Sequence, residues 1–142
     1  MAEQLNVFVE NKPGKLTKIT KVLADAVVNM RAIVIADREN FGIIKLLVDN
    51  PQKAFKELSA QGYACALKKV LAVIIKDTPG GLGSLTEVLN NNKIDILDAY
   101  GFVISSRKEA AFCIEVKEYD LAKKIVEENG FQVLSDSELY DL

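Results

Sequence analysis

The segment Asp77-Thr78-Pro79-Gly80-Gly81-Leu82-Gly83-Ser84 is where residue type and spacing in this chain carry chemistry. Glycines let backbone N–H groups come close to a bound molecule, and a helix N-terminus just downstream adds partial positive charge. A small carboxylate or phosphate would suit such a loop. A dinucleotide would not, because Gly81-x-Gly83 lacks the third glycine and the flanking elements do not read as a parallel βαβ unit. The Gly-Lys-Ser/Thr ending of a Walker A loop is also missing. The structural alternative is that Pro79-Gly80 only makes a turn and Gly83 relieves packing.

Composition removes several other classes of chemistry. The chain contains no histidine, so the commonest general base and His-ligated zinc are excluded. Its two cysteines, Cys65 and Cys113, sit in apolar, strand-like contexts and read as reduced buried thiols. No cluster suggests a metal, a cofactor or a catalytic set. Eighteen Lys and Arg against 20 Asp and Glu leave a net charge of -2, with no basic block to neutralise a phosphate backbone. Nucleic acid is therefore not an expected partner. The apolar run Val70 to Ile75 is far shorter than the roughly 20 residues of a membrane helix. The expectation is a cytoplasmic protein.

The elements that position the loop occur twice. Asn11-Lys-Pro-Gly-Lys-Leu-Thr-Lys-Ile-Thr-Lys-Val-Leu23 aligns at an offset of 66 with Asp77-Thr-Pro-Gly-Gly-Leu-Gly-Ser-Leu-Thr-Glu-Val-Leu89, six of the 13 positions being identical. Further on, the offset becomes 68, pairing Leu46 and Val48 with Ile114 and Val116, and Gly62-Tyr63 with Gly130-Phe131. The two extra residues of the second copy fall in the turn around Ser105 to Lys108.

Each copy reads strand, helix, strand, strand, helix, strand. Leu5, Val7 and Val9 alternate with Asn6, Phe8 and Glu10 as a half-buried strand does. From Leu16 the apolar period changes to a helical one through Ile19, Leu23 and Ala26. Asp37 to Asn40 reads as a polar hairpin tip, and Pro51 opens a helix that Gly62 closes, as Gly130 closes its counterpart. Tyr63 to Leu67 and Phe131 to Leu134 are the expected closing strands. The fold class is α+β: two ferredoxin-like βαββαβ units, residues 1–69 and 70–142, each an antiparallel sheet with helices on one face. A lone unit of about 70 residues is marginal, so the two are expected to pack side by side. Ala72 and Ile74, apolar on the face away from the helices, suggest that a further subunit covers that face. The acidic segment from Ser135 to Leu142 has no assigned structure.

The repeated pattern Asn/Asp-x-Pro-Gly-x-Leu after a first strand, followed by Val28-Asn29-Met30 or Ile94-Asp95-Ile96 opening the second, resembles the ACT domain, and the overall form is similar to small tandem ACT proteins. That resemblance implies a non-catalytic regulatory protein that binds an amino acid where ACT units meet. By position it implies site residues Asn11, Gly14, Lys15, Leu16 and Asn29 in the first copy, and Asp77, Thr78, Gly80, Gly81, Leu82 and Asp95 in the second. The second loop is the more open, and there the ligand carboxylate would rest on the amides of Gly80, Gly81 and Leu82 while the ammonium faces Asp77 or Asp95. Tyr100 would wall the ligand side chain.

A homodimer or higher homo-oligomer is expected, acting on a separate metabolic enzyme or on its own assembly. The alternative is a ligand-free structural or dimerisation subunit of an amino-acid metabolic enzyme. An enzyme in its own right lacks a convergent set of reactive groups, and an RNA-binding sheet lacks central aromatics on Ile43 to Val48 and Phe112 to Val116.

Overall fold

A computed structural model describes residues 2–10 and 12–142, and leaves the side chains of Asp37 and Arg38 undescribed. The chain divides into two compact units, essentially Glu3–Lys68 and Lys69–Tyr140. The first runs β1 (Glu3–Glu10), α1 (Lys15–Asp25), β2 (Met30–Arg38), β3 (Phe41–Val48), α2 (Pro51–Ala60) and β4 (Ala64–Lys69). The second runs β5 (Leu71–Lys76), α3 (Gly81–Asn91), β6 (Ile96–Ser105), β7 (Glu109–Val116), α4 (Tyr119–Glu128) and a short α5 (Asp136–Tyr140). No described helix is long and apolar enough to cross a membrane.

In the first unit the sheet order is β2-β3-β1-β4. Leu5 and Val7 of β1 and Ile44, Leu46 and Val48 of β3 share one face with Ile19 and Leu23 of α1 and Ala54 and Leu58 of α2. The period-2 strands and the helical stripe thus bury the same core from opposite sides. Leu71, Val73, Ile114, Leu85, Leu89, Ala122 and Val126 build the equivalent core of the second unit.

Helix ends follow local rules in both units. Asn50 caps α2 by accepting from the Lys53 N–H at 3.1 Å, with Pro51 in the first turn. Gly62 (φ 88°) and Gly130 (φ 86°) close α2 and α4 in Schellman turns, Tyr63 N–H reaching Leu58 O at 3.2 Å and Phe131 N–H reaching Val126 O at 3.0 Å. The same turn closes α1 and α3 with Val27 (φ 57°) and Lys93 (φ 55°) in the left-handed conformation.

Two expectations need correction, and one unassigned segment gains structure. The second sheet has three strands, β5-β7-β6, and Phe131 to Leu134 contributes one bridge, Val73 opposite Val133, held by Ile74 N–H to Gln132 O at 2.9 Å and Leu134 N–H to Ala72 O at 2.9 Å. Among the described residues the pairing of Phe131 to Leu134 with β5 does not extend beyond this bridge, so it falls short of a full closing strand. Ala72, expected to need another subunit, is fully buried within the chain itself, as are its sheet-face neighbours Ala111 and Cys113. The acidic C-terminal segment is partly helical: Ser135 Oγ accepts from Glu138 N–H at 3.2 Å, and Leu139 is fully buried.

Candidate functional site

Both Pro-Gly loops make the same turn. Gly14 (φ 85°, ψ -6°) and Gly80 (φ 85°, ψ -8°) occupy the third position of type II turns, after Pro13 and Pro79. The turn closes when Lys15 N–H meets Lys12 O at 3.4 Å, and when Gly81 N–H meets Thr78 O at 3.0 Å. The helix follows at once, and Ser84 N–H reaches Gly80 O at 3.0 Å. The Gly81 amide is therefore used by the turn, which corrects the expectation that it serves a ligand. Among the described residues, the Leu82 and Gly83 N–H groups are the first-turn donors left over.

Gly81 also has a packing reason to be glycine. A Cβ on it would stand 2.0 Å from the Lys76 carbonyl oxygen, so the start of α3 is pressed against the end of β5. The first copy has Lys15 at this position, and its turn hydrogen bond is correspondingly the longer.

In the second unit the β6–β7 hairpin is tied to the loop. Asp77 Oδ2 accepts from Arg107 N–H at 2.6 Å, and Asp77 N–H donates to Lys108 O at 3.0 Å. Arg107 takes φ 63° to make this tip. The Asp77 carboxylate was expected to face a ligand ammonium; it instead anchors a turn 30 residues away. Beside this junction lies a cavity of about 780 Å³ lined by Lys76, Thr78, Gly81, Ser84, the hairpin residues Arg107 to Glu109, and Phe131 with its neighbours. The Ser84 hydroxyl donates to Gly80 O at 3.1 Å.

The first unit has a cavity at the corresponding place, about 970 Å³, bounded by the end of β1, α1, α2 and Tyr63. Lys15, Lys18, Lys21 and Lys53 line it together with Glu10, Asp25 and Glu57. Three of these charges are already paired, Lys21 with Asp25 at 3.1 Å and Glu10 with Lys12 at 2.7 Å. The hydrogen bond from Lys12 holds the Glu10 carboxyl below its ordinary range.

The sequence matches the ACT domain pair family over residues 1–142. The chain belongs to that family. Protein BT0572 from Bacteroides thetaiotaomicron is 32% identical and superposes with a TM-score of 0.93, the match covering 99% of this chain and 96% of that one. The ligand-free regulatory subunit of aspartate kinase from Thermus thermophilus is 16% identical, with a TM-score of 0.66 over 90% of this chain and 92% of its own. Its counterpart from Thermus flavus is 15% identical, with a TM-score of 0.60 over 89% and 90%. These two show the fold alone. No curated protein matches the sequence.

Within each ACT unit, the residues named by resemblance do not all converge. Thr78 and Gly81 line the second cavity, with Asp77, Gly80 and Leu82 in the same loop. Asp95 does not reach it. Lys76, before the loop, pairs with Glu109, whereas Ile96, after Asp95, pairs with Val116, seven residues along β7 and about 23 Å away. Tyr100 pairs with Cys113 across the strands. Burial suppresses the ionisation of both, the Cys113 thiol being pushed up to about 12. Tyr100 is thus a sheet-packing residue of its own unit, about four residues or 13 Å from the loop end.

In the first unit Lys15 lines the cavity, and Gly14 and Leu16 flank it. Asn29 lies at the far end, its backbone N–H on Asp49 Oδ1 at 3.0 Å. Asn11 lies outside the described residues. Sequence reasoning missed Lys76, Ser84 and Arg107 to Glu109 as lining residues. The two-residue lengthening of the second copy near Ser105 to Lys108 was the signal that marked the hairpin. Among the described residues no group of His, Cys, Asp and Glu could hold a metal ion.

Proposed function

We propose that this ACT pair is a non-catalytic regulatory protein that binds an amino acid beside the Pro-Gly loop of its second unit and thereby controls a separate metabolic enzyme or its own assembly. The observation that supports this is the cavity of about 780 Å³ opening directly beside Thr78 and Gly81. It is of a size that accepts a small molecule. The regulatory subunits of aspartate kinase, similar in fold, motivate the partner class: an enzyme of amino-acid metabolism carried on a separate chain. Regulation then requires that the ligand bind two assembly states with different affinities.

The test is a thermal-shift screen of the 20 amino acids on the full chain. A ligand at 100 times its dissociation constant adds about 2.7 kcal/mol, a shift of several degrees. A Thr78→Val, Ser84→Val double variant is expected to lose most of that response while keeping its unliganded melting temperature. No response to any amino acid defeats the proposal.

A ligand-free structural subunit is the second reading, and the packing of Gly81 on Lys76 O favours it by giving the glycine a purely architectural role. Under that reading the melting temperature ignores every amino acid and depends on protein concentration alone.

A further inference from the structure

The charges around the second cavity are unbalanced in a way that the loop motif does not explain. Lys76, Arg107 and Lys108 line it against one lining carboxylate, Glu109, with the Asp77 carboxylate beside the hairpin tip on the Arg107 N–H. Among the described residues, none of the four lining side chains takes part in an ion pair. Three cations sharing one cavity repel one another, and a zwitterion with no net charge leaves that repulsion in place.

The backbone that carries two of the cations is held in position. Arg107 and Lys108 sit on a hairpin tip fixed to the loop by two hydrogen bonds, at 2.6 Å and 3.0 Å, both made through their backbone atoms. Their side chains are left for other partners. A guanidinium presents paired donors that match a carboxylate, and Lys76, at the end of β5, supplies a second cation. Ile75 and Phe131 give the cavity an apolar wall suited to a short carbon chain.

We infer that this cavity selects a ligand carrying two carboxylates on a short carbon chain, of the acidic amino acid or dicarboxylate class. One carboxylate faces Arg107 and Lys108, the other faces Lys76, and an α-ammonium where present faces Glu109. The selectivity belongs to the second unit, because the first carries Glu10 where the second has Lys76 and is two residues shorter at the hairpin. This inference rests on the reading that the second cavity is the ligand site.

Isothermal titration of the full chain with isosteric pairs tests it: L-glutamate against L-glutamine, and L-aspartate against L-asparagine, with succinate and glutarate as amine-free probes. The acids are expected to bind at least about tenfold tighter than their amides, and the preference to disappear in Arg107→Gln, Lys108→Gln. Raised salt should weaken the acids and leave the amides unchanged. Amides binding as tightly as acids, or a preference that survives the double substitution, would overturn the inference. If other amino acids bind while no acid does, the inference fails and the amino-acid reading stands. If the amine-free acids bind and no amino acid does, the dicarboxylate class stands and the amino-acid reading fails. Silence from every probe removes both.

Discussion

The two ACT units share a backbone and differ in what they hang on it. Both make a Pro-Gly type II turn at the end of their first strand, both end their helices in Schellman turns, and both leave a cavity beside the turn. The first cavity is edged by helix lysines with acidic partners nearby. The second has glycine and serine on the helix and draws its cations from a lengthened hairpin. The core and the turns thus fix where a cavity forms, while a few substitutions and two inserted residues decide what could fill it.

The sharpest test of scaffold equality is in the cores. Leu23→Ala and Leu89→Ala occupy matched positions, each 1% exposed, and each is expected to cost about 3 kcal/mol in urea unfolding. Clearly unequal costs would show that the cores are not matched. At the residue after the turn the units should diverge. Gly81→Ala puts a methyl group against Lys76 O and is expected to cost about 2 kcal/mol, whereas Lys15→Gly in the first unit costs about 1 kcal/mol or less. Equal losses at both positions would remove the packing argument for Gly81.

A third contrast is with pH. In the second unit the cross-strand pair is Tyr100 with Cys113; in the first it is Val34 with Lys45. An unfolded thiol ionises near 9.0, while burial keeps folded Cys113 neutral to about 12. The stabilisation is complete below pH 9.0 and is lost as pH rises toward 12, by up to about 1.4 kcal/mol per unit. The buried Tyr100 hydroxyl acts in the same direction. Hydrogen exchange measured at rising pH, corrected for intrinsic rates, should show the second unit weakening first, and Tyr100→Phe with Cys113→Ala should flatten the difference. The smallest effect is at Val27, a β-branched residue at φ 57° and 84% exposed. Val27→Gly should raise stability by about 1 kcal/mol, more than Lys93→Gly does at the matched turn; a loss would mean that Val27 is held by contacts, not strain.

Much of this was legible in the chain. Leu5, Val7 and Val9, the stripe Ile19 and Leu23, and the glycines at 62 and 130 announced their elements through periodicity and backbone freedom. The Ser135-x-x-Glu138 spacing was also readable as a helix start and would have identified α5. The opposite placement of Asp95 and the loop followed from topology: β5 and β6 both run antiparallel to β7, so the end of one and the start of the other lie at opposite ends of the sheet. The role of Asp77 was not readable, because its acceptor function depends on Arg107, which only folding brings beside it. The single bridge made by Phe131 to Leu134 was likewise hidden, since that segment has the same apolar character as its better-paired counterpart.

The anchoring of the hairpin through main-chain atoms makes its outer decoration replaceable. Arg107 contributes an amide to Asp77 that every residue except proline could supply, and asparagine, at ease with positive φ, would fit the bend with less strain. The tether and the recognition group therefore answer to separate selection. A hairpin built this way can change the charge it presents to the cavity by exchanging one side chain, without rebuilding the joint that carries it.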